Sequence, residues 1–244
     1  MIPILMYHLI DIPPAKGAYL RGASVHPARF ESQMKWLHRF GYRGLSMRDL
    51  LPYLRGEKRG KVVGLTFDDG YVNVMQNALP VLNQMGFTAT NYIVTGELGG
   101  ANYWAQPKGA MHADLMTIDH VRQWHAAGHE IGSHTVEHVY MDRVSEIDAL
   151  RQLTESKNVL ESLIQAEVES FCYPFGAEAP GVRKLVQQAG YSNATATFTG
   201  LANKTDDFFA LPRISIIRST HPVRFMQKCF TQLEENKRRK LVKY

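Results

Sequence analysis

At 244 residues, with 45% hydrophobic and 21% charged residues, the chain has the make-up of one ordinary globular domain with a sizeable core. Its formal net charge of +5 is concentrated near the end, in Lys237, Arg238, Arg239, Lys240 and Lys243, which leaves the remainder near neutral and excludes a domain-wide basic surface for nucleic acid. No apolar run approaches the roughly eighteen residues that cross a bilayer, and Cys172 and Cys229 stand too far apart for a metal or redox spacing.

The opening Met1-Ile2-Pro3-Ile4-Leu5-Met6-Tyr7-His8 lacks the basic start, long apolar stretch and small-residue cleavage site of a secretory signal. It reads as a first buried strand over residues 2–7, in a protein expected to be cytoplasmic with its two cysteines as buried thiols. A loop rich in Pro and Gly leads to an amphipathic helix over residues 27–40, with Phe30, Met34, Leu37 and Phe40 on one face. A short strand at 42–46 and a helix at 48–54 precede the run Val62-Val63-Gly64-Leu65-Thr66-Phe67, the pattern of a strand buried on both faces. A helix over 72–85 is closed by Gly86 in the C-cap role, and residues 87–94 are strand-like.

From Gly96 to Met116 a long loop carries Tyr103 and Trp104 among glycines, a candidate wall for a substrate. Thr117 caps a helix through Ala127, and residues 130–133 form the next strand. A long helix over 144–167, a strand at 168–173, a helix at 181–189 and strands at 193–198 and 211–217 follow. The last helix covers 223–235. About seven or eight strand–helix pairs without an internal repeat imply a parallel sheet covered by helices. The expected fold is α/β, a distorted (β/α) barrel over residues 1–236 as a single domain, with a basic tail at 237–244; an open doubly wound sheet is the alternative. In a barrel, functional groups gather at the carboxyl ends of the strands. His8, Asp68, Asp69, His134 and the run Pro174-Phe175-Gly176 all fall there.

The chemistry begins at Asp68-Asp69-Gly70. That tripeptide alone is an ordinary turn, but ionised carboxylates at the end of a buried strand need partners or water. Two adjacent acids allow one to bind a metal while the other acts as a base. Further along, His134 leaves a strand end and His138 follows one helical turn later, so both rings can face one ion. Two imidazoles and a carboxylate make a facial triad with open positions, as a catalytic metal site requires. Glu137 is expected to face solvent, and His26, His38, His112, His120, His125 and His129 to be surface or structural residues.

Three motifs occur in order: Thr66-Phe67-Asp68-Asp69-Gly70, Ser133-His134-Thr135-Val136-Glu137-His138 and Tyr173-Pro174-Phe175-Gly176. With them the chain resembles the polysaccharide deacetylases of carbohydrate esterase family 4, the NodB-homology family. Leu5-Met6-Tyr7-His8 resembles the branch of poly-N-acetylglucosamine deacetylases. The resemblance implies a distorted β/α barrel and a hydrolase that removes acetyl groups from N-acetylhexosamine units with a divalent metal, usually Zn2+. It implies Asp69, His134 and His138 as ligands, Asp68 as general base and the backbone N–H of Tyr173 as oxyanion donor. Substrate contacts are expected around Pro174, Phe175 and Gly176, and Trp104 and Tyr103 either stack on a sugar face or anchor their loop by packing.

The chain departs from the family pattern twice. Cys172 stands where many members carry an arginine that braces the base, and Arg213 is the replacement in view. The last strand has no Leu-x-His to protonate the leaving amine, so His8 is the candidate acid, with His221 a weaker one. Leu211 and Ile214 either shape an acetyl pocket or pack in the core. The expected substrate is an N-acetylated glycan or a lipid-linked saccharide met inside the cell; the basic tail is either a solvated, disordered segment or a peripheral contact with the inner membrane, where each Lys or Arg near an anionic surface contributes about 1 kcal/mol. Two other readings remain open: an amidohydrolase of the same fold acting on a small non-sugar amide, and a catalytically inactive glycan-binding domain.

Overall fold

The computed structural model describes residues 1–109 and 111–241. In chain order the elements are β1 (Ile4–Tyr7), β2 (Leu9–Ile10), β3 (Ser24–Val25), α1 (Pro27–Arg39), β4 (Arg43–Leu45), α2 (Met47–Leu54), β5 (Val62–Phe67), α3 (Val72–Asn77), α4 (Leu79–Met85) and β6 (Thr90–Ile93). They continue with α5 (Ile118–Ala126), β7 (Glu130–Ser133), α6 (Glu146–Ile164), β8 (Ser170–Cys172), α7 (Pro180–Gln188), β9 (Asn193–Thr195), β10 (Ile214–Ser215), α8 (Pro222–Phe230) and α9 (Leu233–Leu241).

The main sheet runs β10-β1-β5-β6-β7-β8-β9, with every pairing parallel. β5 is long enough to share one edge, its first half pairing with β4 (Arg43 opposite Val62) and its second with β6 (Thr66 opposite Thr90). Leu211 pairs with Thr195 of β9 while Ile214 pairs with Leu5 of β1. The segment 211–215 thus joins the two ends of the sheet, which curls into a distorted barrel.

Side chains of a strand alternate between faces, and the core divides accordingly. Leu5, Tyr7, Val63, Leu65, Phe67, Ile131 and Phe171 point outward and pack with Phe30, Met34, Leu37, Trp124 and Leu153 of the surrounding helices. Ile4, Val62, Tyr92 and Cys172 point inward and join Leu211 and the apolar face of α2, which plugs the amino end. The barrel is narrow: a Cβ at the inward position Gly132 would stand 2.4 Å from the Tyr92 ring. By the same period of two, the inward row of β5 runs Val62, Gly64, Thr66 and then Asp68. Helix starts are set by local chemistry, as where Ser145 accepts a hydrogen bond from the Asp148 N–H at the start of α6.

Three sequence expectations change. The helix read over 72–85 is two helices meeting at Ala78, because Pro80 in the following turn has no N–H to carry the ladder through. The strand read over 211–217 is regular only at Ile214–Ser215, since Leu211 serves the opposite edge. The last helix ends at Phe230 and α9 begins at Leu233. Residues 237–241 are therefore helical and no tail: Lys237 pairs with the buried Glu234 at 2.8 Å, and Arg238 bonds Asp206. Lys243 lies outside the described residues. No helix among the described residues is long and apolar enough to cross a membrane.

Candidate active site

At the carboxyl end of β5 the inward row delivers Asp68 to the barrel mouth. The next residue, Asp69, adopts a left-handed conformation (φ 76°), which short acidic side chains tolerate better than most. The turn brings the two neighbouring carboxylates to one cavity with separate partners.

Asp69 meets the histidines. His134 continues the β7 ladder, its N–H donating to the Ile93 carbonyl at 2.9 Å. Its ring Nδ1 stands 2.7 Å from the Cys172 carbonyl, so Nδ1 carries a proton and Nε2 is the atom turned to the cavity. Nε2 of His134 and Nε2 of His138 lie 3.3 and 3.2 Å from the same oxygen, Oδ1 of Asp69. All three residues are buried. Burial would raise the Asp69 carboxyl, but hydrogen bonds from the two imidazoles outweigh it and hold the group well below the usual carboxylate range. Burial in turn lowers His138, more than Asp69 raises it.

The path between the histidines is not the helical turn that their spacing suggests. Thr135 and His138 are both left-handed, at φ 68° and 53°. The buried Gln152 of α6 holds this loop, its Oε1 accepting from the N–H groups of Val136 and Glu137 at 2.9 and 3.0 Å. Glu137 turns away from the cavity and accepts from Arg151 and Gln152.

Asp68 meets a cation instead. Arg213 is fully buried and donates to both Asp68 oxygens, at 2.7 and 2.8 Å. Its remaining N–H groups reach Thr66 Oγ1 at 3.0 Å, the Ala196 carbonyl at 2.8 Å and Cys172 Sγ at 3.1 Å. A buried guanidinium persists only when its donors are matched in this way. Burial raises Asp68, but the charge and hydrogen bonds of Arg213 override it and lower the carboxyl. Both carboxylates are thus ionised, and only one faces an arginine.

Among the described residues, two sets of His, Cys or acidic side chains have ligand atoms within 4.8 Å of one another: Asp69, His134 and His138, and Asp68, His134 and Cys172. The second set is occupied by the Arg213 charge, and Nδ1 of His134 is committed to a carbonyl. The first set fits a divalent cation: one carboxylate oxygen and two imidazole nitrogens converge, one of them with an outer hydrogen bond.

The other candidates separate. His8 lies just past β1, 30% exposed, with Nε2 4.0 Å from Asp68 Oδ2, on the wall of a cavity of about 500 Å3 shared with Asp68, Asp69, His134 and His138. Trp104 lines the same cavity and stacks on His138 with ring centres 4.4 Å apart. Phe175 meets His138 edge to face at 4.5 Å. Tyr103 is 50% exposed and is not on the cavity wall. Pro174 and Gly176 sit behind the wall, where a Cβ on Gly176 would fall 1.9 Å from Thr197 Oγ1. The Tyr173 N–H, expected as a free donor, is directed into the sheet and donates to the Thr195 carbonyl at 3.3 Å, because the β8–β9 ladder continues one residue further. Leu211 and Ile214 are core residues, and His221 is exposed at the start of α8.

Tyr19, Leu20, Ala23, Tyr71, Ala105 and Thr197, none of them marked by a sequence motif, also line the wall. Tyr19 and Leu20 belong to the Pro- and Gly-rich loop between β2 and β3, where no periodicity marks a contact. Tyr71 follows Asp69 by two residues, and that adjacency was its available signal.

A family model described as polysaccharide deacetylase matches residues 55–194, more than half of the chain. YxkH of Bacillus subtilis, named after polysaccharide deacetylase, is 29% identical over 217 residues, covering 88% of this chain and 71% of that protein. A poly-beta-1,6-N-acetyl-D-glucosamine N-deacetylase of Staphylococcus aureus is 25% identical over 214 residues, covering 81% and 69%. Among solved structures, the deacetylase PplD of Streptococcus pyogenes, in complex with acetate, superposes with a TM-score of 0.80 at 26% identity, covering 93% of this chain and 97% of that one. With the matched span enclosing both carboxylates and both histidines, the chain belongs to the polysaccharide deacetylase family.

Proposed function

We propose that this chain is a metal-dependent N-deacetylase that acts on N-acetylhexosamine units of a glycan or lipid-linked glycoconjugate, releasing acetate and leaving a free amine. The observation that carries the reading is the division of labour between adjacent carboxylates: Asp69 converges with His134 and His138, while Asp68 is held by Arg213. The similarity to a poly-N-acetylglucosamine deacetylase supports the substrate class.

Asp69, His134 and His138 would hold the ion, with Zn2+ the choice for two imidazoles and a carboxylate. A divalent ion there supplies Lewis acidity to the acetamido carbonyl and to water. Asp68 enters the reaction ionised and fixed in one orientation by Arg213, ready to take the proton of the attacking water. His8, at the open side of the cavity and near Asp68, is placed to give a proton to the departing amine. Trp104, stacked on His138, and Phe175 give the cavity an aromatic wall suited to a sugar ring.

The test pairs metal content with acetate release, for the protein and for Asp69→Ala, on N-acetylglucosamine oligomers and on bacterial lipid-linked glycan extracts. One metal per chain and acetate release that disappears with the metal are the expected results. Bound metal without acetate from any sugar would favour the small-amide reading. A protein that takes up no metal would overturn the proposal.

A further inference from the structure

Each metal-binding side chain has a different outer support. His134 has the Cys172 carbonyl on its second nitrogen, and His138 lies between the rings of Trp104 and Phe175. For Asp69, the hydrogen bonds among the described residues bring only the two imidazoles to its carboxylate, and Arg213 is spent on Asp68. Ligating carboxylates are ordinarily hydrogen-bonded in turn, so a donor is missing.

Among the described residues, an unused hydroxyl stands on the same wall. Tyr71 is fully buried, lines the cavity with Asp69, and its hydroxyl has no hydrogen-bond partner. The polar groups around that hydroxyl are the Asp69 carboxylate, the Asn102 side-chain amide and the Tyr19 hydroxyl. The ring is not free to leave: Tyr71 bridges to Leu115, Val72 N–H donates to the Asp114 carbonyl at 3.0 Å, and Met116 N–H donates to the Gly70 carbonyl at 2.8 Å. Asn102 is equally fixed, its Nδ2 donating to the Met111 carbonyl at 3.1 Å and its Oδ1 accepting from the Ala113 N–H at 2.9 Å. A phenol at neutral pH carries its proton, and buried polar groups rarely go unmatched.

We propose that Tyr71 is a positioning residue for the metal ligand Asp69, its hydroxyl donating to that carboxylate and holding it in the orientation that binds the ion. The inference rests on the metal reading above. It extends that reading to a relay running from the segment 111–116 through Asn102 and Tyr71 to Asp69. The wall of the cavity and the metal site are then one rigid piece.

The experiment titrates metal-free protein and Tyr71→Phe with Zn2+ and Co2+ against a chromophoric chelator, with the thermal midpoint of each metal-free protein measured alongside. The substitution removes one oxygen and leaves the ring. Loss of an outer-shell partner weakens metal binding by about 10- to 100-fold, and that loss with an unmoved metal-free midpoint is the expected result, accompanied by a changed visible spectrum of the Co2+ form. Equal affinities within twofold would overturn the role of Tyr71 and leave the metal site standing. Affinity and metal-free midpoint falling together would also overturn it, by making Tyr71 a packing residue. An unmodified chain that binds no metal would overturn both readings.

Discussion

Asp68 and Asp69 are adjacent in the chain and chemically alike, and their surroundings make them different. Asp68 faces a guanidinium whose donors are all engaged, which keeps it ionised without drawing it toward a cation site. Asp69 faces two imidazoles through one oxygen. Asp68→Asn should retain the full metal content while lowering kcat at least about 100-fold, the usual contribution of a positioned base; a variant with native turnover would remove Asp68 from that role. His8→Ala should lower kcat about 100-fold or more, with metal content and KM nearly unchanged, if His8 supplies the departing proton. A comparable kcat in that variant would assign the proton to solvent.

At the scale of elements, a buried carboxylate far from the site ties several of them together. Glu130, at the start of β7, accepts from Thr90 Oγ1 of β6 at 2.6 Å, from Ser170 Oγ of β8 at 2.6 Å and from the Arg48 N–H of α2 at 2.8 Å. Burial raises its carboxyl, and these hydrogen bonds recover only part of the shift. Since the folded group titrates above its unfolded counterpart, its contribution to stability is complete below the ordinary carboxylate value of about 4.3 and is lost as pH rises through the folded value. Glu130→Gln should therefore match the wild type in acid and exceed it in stability near neutrality. Thermal midpoints measured from pH 4 to 8 check this, and a variant less stable than the wild type at pH 7 would show that the ionised form is required. The same element scale explains the loop between the histidines: Gln152 on α6 collects its N–H groups, so the positions of both rings depend on how α6 packs against β7.

For the whole molecule, α9 decides what the basic segment can do. Its acidic first turn is buried, with Glu234 accepting from Thr199 Oγ1 at 2.8 Å and Glu235 from the Leu201 N–H at 3.2 Å. Lys237 and Arg238 are drawn down onto Glu234 and Asp206, whereas Arg239 and Lys240 stay exposed. A peripheral contact with an anionic membrane, proposed for a lipid-linked substrate, would rest on the exposed pair. Replacing Arg239 and Lys240 by alanine should weaken co-sedimentation with anionic vesicles by about 1 kcal/mol per charge. Vesicle binding that ignores the double substitution, or no binding by the unmodified chain, would remove the membrane from the proposal.

The sequence by itself determined what is local or periodic. Apolar runs ending at polar residues located the parallel strands and put Asp68, Asp69 and His134 at their carboxyl ends. Three ordered motifs identified the residues that meet around Asp69. Helix breaks were less legible where one proline or one buried acid changed the path, as at Pro80 and Glu234. Only the tertiary structure decided the partners. Arg213 reaches Asp68 across 145 residues because segment 211–215 closes the sheet between β9 and β1. The Tyr173 N–H is engaged because that ladder extends one residue further, and Tyr103 misses the cavity that its neighbour Trp104 enters. The physical reason is that facing follows from the covalent geometry of a strand, whereas a hydrogen-bond partner follows from the register and curvature of the closed sheet, which no single segment specifies.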